Sequence, residues 1–306
     1  MQHIGRVEGL QSAKPQLKLR RSSRLHTVLG SVAIEGNTLT LEQASAIFDG
    51  KRVVGPRRDV LELQNAIKAY DAAPTFNPAS PLHLRRAHRT MMQGLVNDAG
   101  KFRSKGVGVF QGSEVAHIAP PAGRVALLVQ NLFDWIKAEH TLDGLIVSTV
   151  AHYELEFIHP FSDGNGRMGR LWQHVVLQKR HPIFQWIPFE SVIHGKQEQY
   201  YRVLRLCDKA GASTAFIEFS LAAVLEGLEA FLSDLRPEPV SGEQRLENGR
   251  AFFAKQWFTR KDYLAHLKTL STATASRDLR EGVNAGRLDR EGEKALCRYR
   301  FRPLRG

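Results

Sequence analysis

Apolar residues recur at three- and four-residue steps along most of the chain, which is the spacing of one face of an α-helix. Residues 144–158 show this most clearly, with apolar positions at Ile146, Val150, Tyr153 and Phe157. The same spacing predicts further helices at 58–71, 81–97, 124–139, 167–180, 196–209 and 213–235. The fold class predicted from this pattern is mainly α.

One stretch between two predicted helices has strand-like spacing instead. Val107, Val109, Val115 and Ile118 flank a Gln-Gly pair, which predicts a short β-hairpin. Two consecutive prolines then end the hairpin, because proline cannot donate to a strand ladder. The predicted architecture is a helical bundle with one hairpin.

Changes in composition divide the chain into regions. The Pro-, Gly- and charge-rich residues 236–244 are predicted to be a linker. The other regions are 1–20, polar, basic and predicted to be poorly ordered; 21–57, an N-terminal region with a break at Gly36-Asn37; 58–235, the core; and 245–306, a small C-terminal domain. The last region has three helix-like stretches and then alternating residues, so it resembles a winged helix-turn-helix.

Charge and composition favour a soluble protein with anionic partners. The net charge is +12 and the pI is about 9.9, which favours nucleotides, nucleic acid or an acidic protein surface, with simple solubility as the alternative. Residues 245–306 alone hold fifteen Lys or Arg against seven Asp or Glu. Cys207 and Cys297 lack metal-binding spacing, and neither a secretion signal nor a membrane span is visible. A cytoplasmic protein without membrane contact is expected.

The stretch HPFSDGNGRMGR, residues 159–170, contains a histidine, an aspartate, an asparagine and two arginines within twelve positions. Its Gly-x-Gly-x-x-Gly spacing matches a dinucleotide-binding turn. A dinucleotide-binding turn follows a β-strand and has neutral residues, whereas a helical pattern precedes the stretch at 159–170. A plain surface turn is the other alternative, and it leaves His159, Asp163 and the two arginines unexplained.

An anion site accounts for these residues together. A proline ends the preceding helix, and two glycines let backbone N–H groups turn inward at the start of the next helix. Arg167 and Arg170 lie three residues apart on one helix face, which suits an oligophosphate. A carboxylate at Asp163 tolerates phosphate when Mg²⁺ bridges the two, and His159 is placed to accept a proton from an attacking hydroxyl.

The whole stretch resembles the signature of Fic-domain proteins, His-Pro-Phe-x-Asp/Glu-Gly-Asn-Gly-Arg-x-x-Arg, with every fixed position present. The resemblance covers residues 20–235, including the lead-in helix AHYELEFIHPF. It implies an all-α bundle with one β-hairpin. It also implies transfer of AMP from ATP to a Tyr, Ser or Thr hydroxyl of a protein, the chain itself included.

Carried over by position, the resemblance implies a role for each residue of the loop. His159 would be the general base, Asp163 would hold Mg²⁺, and Phe161 would pack the loop into the core. The implied nucleotide-binding residues are Gly164, Asn165, Gly166, Arg167 near the β-phosphate and Arg170 at the γ-phosphate. ATP and Mg²⁺ are the implied cofactors, and a different nucleotide in place of ATP stays open.

A second motif lies far upstream. SVAIEGN, residues 31–37, matches the family's inhibitory pattern Ser/Thr-x-x-x-Glu-Gly/Asn through Ser31, Glu35, Gly36 and Asn37. Ser31 and Glu35 are four residues apart, so they share a helix face. In the subclass with an N-terminal inhibitory helix, this Glu pairs with the second signature arginine, here Arg170. Some members also remove AMP, with the Glu orienting water, and the sequence leaves that role of Glu35 open.

Three weaker predictions concern the rest of the core. The hairpin resembles a flap that docks the target through its main chain, and an ordinary hairpin is the alternative. The flap residues are Gly106, Val107, Gly108, Val109, His117 and Ile118. Tyr200 and Tyr201 resemble a position that stacks on adenine, with core packing as the rival. His152 is interpreted as structural, because a zinc pair needs closer spacing and a third ligand.

The C-terminal region suggests a second class of function. Ser276, Arg277 and Arg280 are the candidate DNA contacts of its recognition-helix-like segment, although such domains also bind proteins. The alternative to an autoinhibited AMP transferase is a DNA-binding regulator whose Fic core senses nucleotide or mediates assembly. Related proteins often dimerise, so a homodimer is a further expectation.

Overall fold

The computed structural model describes residues 17–106, 108–111, 114–235, 241–267, 270–293 and 296–303, and in the hairpin it describes the backbone alone. The chain splits into two compact units, Met1–Leu235 and Arg236–Gly306. Each unit has its own apolar core.

The first unit is built almost entirely from helices. These are α1 Leu17–Ile34, α2 Leu41–Phe48, α3 Arg57–Ala72, α4 Pro81–Met92, α5 Ala122–Ala138, α6 Gly144–Ile158, α7 Asn165–Arg180, α8 Phe189–Gly195, α9 Gln197–Ala210 and α10 Thr214–Leu235. Short 3₁₀ turns occupy Ala73–Thr75 and Pro182–Trp186. Strands β1 Gly108–Gln111 and β2 Glu114–Ile118 pair antiparallel, with Gly108 opposite Ile118. The mainly α fold with one hairpin is therefore confirmed.

Most helix bounds fall close to the predicted ones, and α6 covers the predicted residues 144–158. Helix α4 ends at Met92, five residues before the predicted end at 97, because the chain turns at Gly94 with φ of 75°. The side-chain amide of Asn65 then donates to the carbonyl of Gln93 at 2.7 Å, which fixes the turn.

Helix α1 begins at Leu17, inside the region predicted to be poorly ordered. Leu19 packs against an apolar cluster, and the Arg20 guanidinium lies 5.1 Å from the centre of the Trp186 ring. The polar and basic composition did not predict these contacts, because arginine can bury its stem on an aromatic surface while remaining charged. Residues 1–16 lie outside the described part of the chain.

Helices α6 and α7 run through the middle of the first unit, and α7 is buried along most of its length. Trp172 and Leu171 on α7 are fully buried among side chains of several surrounding helices. Helix α1 packs so closely on α8 that a Cβ atom at Gly30 would lie 2.7 Å from the backbone nitrogen of Ser191. The turn between α6 and α7, which carries HPFSDGNGRMGR, thus connects the two central helices of the bundle.

The described residues of the second unit form three helices and a small sheet. Its elements are α11 Gly242–Phe253, β3 Phe258–Thr259, α12 Arg260–His266, α13 Thr272–Asn284, β4 Leu288–Glu291 and β5 Arg298–Phe301. The sheet is antiparallel in the order β3-β5-β4, with Leu288 opposite Phe301. The two-residue strand β3 was too short for alternation to predict it.

The predicted linker 236–244 overlaps helix α11 by three residues, because the helix begins at Gly242. Ser241 caps that helix by accepting the N–H of Gln244, whose side chain returns a bond to the backbone of Ser241. Residues 236–240 lie outside the described residues. A capping box has a recognisable sequence pattern, but the surrounding Pro, Gly and charged residues favoured a linker over a helix start.

Candidate active site

His159 lies at the point where the chain leaves α6. Its backbone is left-handed, with φ of 48° and ψ of 61°, and its N–H still donates to the carbonyl of Leu155 at 3.0 Å. A non-glycine residue in this conformation is strained, and such strain is concentrated at functional sites. The helix therefore ends abruptly at His159, and Pro160 prevents its continuation.

Asn165 holds the loop closed. The N–H of Phe161 donates to its side-chain oxygen at 2.9 Å, and its side-chain amide donates to the carbonyl of Phe161 at 3.0 Å. The Asn165 side chain is buried and makes both of these bonds to the backbone of Phe161. Phosphate binding by Asn165 stays a prediction, and its backbone N–H at the helix start is a further group that could bind an anion.

Phe161 is buried, as predicted, and it stacks on His88 with ring centres 3.7 Å apart and planes 3° from parallel. The N–H of Gly100 donates to His88 Nδ1 at 2.8 Å, so Nε2 carries the hydrogen and donates to the carbonyl of Asp163 at 3.0 Å. Burial lowers the pKa of His88 to about 4, which keeps the imidazole neutral. His88 was not predicted as part of the site, because on α4 it occupies an ordinary core-facing position.

This arrangement predicts that His88 makes the protein less stable in mild acid. The unfolded imidazole binds a proton below pH 6.5, whereas the folded one stays neutral until about pH 4. Stability therefore falls as the pH drops through this window, with His88 contributing about 2 kcal/mol of the loss between pH 7 and pH 5. Urea unfolding at both pH values should show a smaller loss for His88→Gln than for the wild type, and equal losses would rule out this role.

The two glycines of the loop are required by close contacts. Gly164 has φ of 84° and precedes α7, and a Cβ atom there would lie 2.6 Å from the sulfur of Met92. A Cβ atom at Gly166 would collide with the carboxylate of Glu35 and would lie 3.2 Å from Nη1 of Arg170. The carboxylate of Glu35 therefore sits over the N-terminus of α7, where the helix attracts anions.

Arg170 is completely buried and is held by Ser31 of α1 and by Glu35, which directly follows that helix. Its Nη2 donates to Glu35 Oε1 at 2.6 Å and to the carbonyl of Ser31 at 3.0 Å, while its Nε donates to Ser31 Oγ at 3.3 Å. Burial alone would lower the pKa of Arg170, but Glu35 and neighbouring Tyr200 and Glu156 raise it above the ordinary value. The guanidinium is thus a fixed cation, and the structure brings Ser31, Glu35 and Arg170 together as the upstream motif implies.

Arg167 is also buried and has two carboxylate partners. Its guanidinium donates to Glu62 and, at 3.0 Å, to Asp163 Oδ1. Glu62 accepts a second bond from the side-chain amide of Asn37 at 2.8 Å, and burial raises the pKa of Glu62. Gly36 has φ of 92°, which lets the chain turn between Glu35 and Asn37. The upstream motif therefore contacts Arg170 directly and Arg167 through Glu62, which was not predicted.

Asp163 is the candidate Mg²⁺ ligand. Its Oδ1 accepts the N–H of Gly164 at 2.6 Å, its Oδ2 lies 3.4 Å from Nη2 of Arg58, and 41% of its side chain is exposed. Mg²⁺ is usually bound by one or two carboxylates together with substrate phosphates, so a single accessible carboxylate beside an anion site fits this ion. Within the described ranges, no three His, Cys, Asp or Glu side chains are grouped to hold a metal.

The two tyrosines differ. Tyr200 is 1% exposed, donates to Glu156 Oε1 at 3.1 Å and packs near Phe216. His152 joins this buried network, bonding to Tyr200 at 3.1 Å and to Gln173 at 2.7 Å, which agrees with a structural His152. The burial of Tyr200 favours core packing, the alternative that the sequence left open, and stacking on adenine stays a prediction.

Tyr201 is only partly buried and contacts the N-terminal helix instead. Its hydroxyl donates to the carbonyl of Ile34, the last residue of α1, at 3.1 Å. The side-chain amide of Gln197 donates to the same carbonyl at 2.5 Å. Tyr201 and Gln197 therefore hold the end of α1, close to Glu35.

The proposed flap is described only in part. Gly106 is exposed, and Val107 lies outside the described residues. Gly108 pairs with Ile118, and Val109 pairs with His117, so four of the six residues lie opposite one another on the hairpin. Their side chains are not described, and docking of a target there stays a prediction.

In the second unit, the three candidate DNA contacts lie on α13. Arg277 and Arg280 are exposed, whereas Ser276 is partly buried. The Ser276 hydroxyl accepts from Arg260 at 2.9 Å and donates to the carbonyl of Thr272 at 2.9 Å, so it is already engaged. The two arginines are the better candidates.

Within the described part of the chain, no helix is both long and apolar enough to cross a membrane.

The fold and the loop together define the class of protein. The first unit is a helical bundle whose central turn carries a strained histidine. This turn leads into a helix start flanked by two buried arginines. The profile of the Fic/DOC family matches residues 78–177. A crystal structure of a Fic family protein from Desulfovibrio desulfuricans G20 is similar over 99% of this chain and 94% of that one, with 36% identity and a TM-score of 0.71. The chain belongs to the Fic/DOC family.

Curated relatives are similar over a smaller part of their length. The proteins named protein adenylyltransferase Fic from Drosophila erecta and Drosophila melanogaster are each 31% identical over 252 residues, which is 74% of this chain. The match covers 48% of each relative, so the chain spans about half the length of the curated relatives it matches.

Proposed function

We propose that the protein is an adenylyltransferase that moves AMP from ATP to a Tyr, Ser or Thr hydroxyl of a protein target, which can be the chain itself. The observation that carries this proposal is the placement of His159 in the same short turn as the two-arginine anion site of α7. Binding of nucleotide alone does not require a base beside the phosphates. The names of the curated relatives support the same reaction.

The chemistry follows from this placement. The target oxygen would form a bond to the α-phosphorus, the bond from that phosphorus to the bridging oxygen would break, and pyrophosphate would leave. His159 would take the proton of the hydroxyl. Arg167 and Arg170 would neutralise the departing phosphates, as phosphoryl-type transfer demands mainly positioning and charge compensation. When bound at Asp163, Mg²⁺ would supply further charge neutralisation.

We also propose that the resting protein is autoinhibited. The carboxylate of Glu35 occupies the helix start and engages Arg170, which the γ-phosphate would otherwise contact. A bound ATP would then lack its γ-phosphate partner and would lie in an unproductive position. Glu35 could also orient water for removal of AMP, and release of AMP from a modified protein by the wild type but not by a Glu35 variant would test this.

Incubation of a cell lysate with the protein, Mg²⁺ and α-labelled ATP tests the transfer. The proposal predicts labelled protein bands that depend on His159, and mass spectrometry of those bands should locate AMP on a hydroxyl side chain. Label that stays in nucleotide and never enters protein, with both wild type and Glu35→Gly, would contradict the proposal.

The second unit has its own candidate function, which is binding to DNA. We propose it because the three helices and the sheet ordered β3-β5-β4 match the element order of a winged helix-turn-helix, and α13 exposes Arg277 and Arg280. The charge of this region suits a phosphate backbone.

The DNA proposal predicts that the full chain shifts genomic fragments in a gel and that binding weakens steeply as salt rises. Arg277→Ala combined with Arg280→Ala should lower affinity by about tenfold or more, since removing an arginine that binds a phosphate or a base costs about 1 kcal/mol or more. Lys255→Ala, at an exposed lysine outside α13, is the control. Binding that ignores salt and the arginine pair would favour a protein partner.

A further inference from the structure

Arg103 joins the catalytic turn to the hairpin. It is buried, and its guanidinium donates to four backbone carbonyls instead of forming an ion pair with any described carboxylate. Two of these carbonyls belong to the catalytic turn: His159 at 2.7 Å and Ile158 at 3.3 Å. The other two are those of Lys105, before β1, at 3.0 Å and Pro120, after β2, at 2.5 Å.

The backbone of Arg103 adds a fifth link, because its N–H donates to the carbonyl of Pro160 at 3.0 Å. Three successive carbonyls, from residues 158 to 160, are therefore held by one residue. A helix that ends in a left-handed residue leaves its last carbonyls without intrahelical partners, and a buried carbonyl without a donor is costly. Arginine is suited to this position, since its planar guanidinium can donate in several fixed directions at once.

We propose that Arg103 is a positioning residue that sets both the strained turn at His159 and the base of the hairpin, so that a docked target hydroxyl meets the imidazole in a fixed geometry. The inference rests on the proposed transfer reaction. A target strand held by the hairpin would be positioned relative to His159 through Arg103, because both ends of the hairpin and the turn share its guanidinium. Misplacement by about 1 Å can lower a rate about 100-fold.

Two variants of Arg103 and one control test the proposal. Arg103→Met removes all four side-chain bonds. Arg103→Lys keeps the charge, but its single ammonium cannot reach the turn and both ends of the hairpin together. The control is Arg85→Met, since Arg85 also donates to a backbone carbonyl, that of Gly100 at 3.0 Å, and lies over the ring of Phe102.

Hydrogen–deuterium exchange tests whether Arg103 links the turn at His159 to the hairpin, and it does not depend on transfer activity. Arg103→Met should speed exchange in peptides covering 104–120 and 158–164 by about tenfold, with a smaller effect in Arg103→Lys and none in Arg85→Met. Exchange in α10, which belongs to the same unit as Arg103, should not change, and this guards against global unfolding of that unit. Unchanged exchange in both peptides would overturn the proposal, whatever the reaction proves to be.

Transfer kinetics test whether loss of the Arg103 bonds slows the reaction, and every variant is placed in the Glu35→Gly background. The rate at saturating ATP should fall about 10- to 100-fold in Arg103→Met and less in Arg103→Lys, while KM for ATP stays within about twofold. A rate unchanged despite faster exchange, or an effect confined to KM for ATP, would overturn the positioning role. An inactive Glu35→Gly parent would instead count against the proposed function, and the exchange result would still decide whether Arg103 links turn and hairpin.

Discussion

Replacing Glu35 with glycine is expected to raise the rate of AMP transfer by about 10- to 100-fold, since a hydrogen bond between charged groups contributes about 1.5–3 kcal/mol. The carboxylate of Glu35 lies 2.6 Å from Nη2 of Arg170 and covers the start of α7. Its removal frees both the cation and the helix end for phosphate. Initial rates with labelled ATP and Mg²⁺ measure the change.

A separate prediction concerns the melting temperature of Glu35→Gly. Loss of Glu35 leaves Arg170 buried without its carboxylate, so the variant should melt at a lower temperature than the wild type when no nucleotide is present. ATP should raise its melting temperature more than that of the wild type, because the phosphates replace the missing carboxylate. Glu42→Gly is the control, since Glu42 is exposed in the first turn of α2. Equal rates in Glu35→Gly, Glu42→Gly and wild type would contradict autoinhibition.

Replacing His159 with alanine in the Glu35→Gly background is expected to lower the transfer rate by about 10²- to 10⁴-fold, which is the usual contribution of a general base. Binding of ATP should survive, because Arg167, Arg170 and the start of α7 remain in place. Calorimetric titration with ATP and initial-rate measurements separate the two effects.

The control for this change is His140→Ala, since His140 is exposed and precedes α6. Transfer by His159→Ala at the parent rate would remove His159 from the role of base. Loss of ATP binding together with loss of transfer would mean that the substitution had collapsed the turn held by Arg103.

Local sequence signals predicted the helices of the first unit because apolar periodicity is a local property. The bounds of α6 came directly from the spacing of residues such as Ile146, Val150 and Tyr153. The signature residues could also be found, since His159, Asp163, Arg167 and Arg170 lie within twelve consecutive positions. Their contact with Glu35 required the family resemblance, because 135 residues separate Glu35 from Arg170.

The residues that support the site could not be predicted from the sequence. Glu62 meets Arg167 across 105 residues, and Arg103 meets His159 across 56. Neither stands out in sequence, since Glu62 lies on an ordinary amphipathic helix and Arg103 in a basic stretch. The burial of Tyr200 and the engagement of Asn165 by Phe161 also depend on tertiary packing, which a pattern of residue types does not contain.

The position of the label in ATP tests the central claim most directly. Glu35→Gly is incubated with Mg²⁺ and a protein acceptor, once with ATP labelled on the α-phosphate and once with ATP labelled on the γ-phosphate. Transfer of AMP predicts protein-bound label from the α-phosphate alone, with the γ-label released in pyrophosphate. Protein-bound label from the γ-phosphate, or turnover of ATP that leaves protein unlabelled in both reactions, would contradict it.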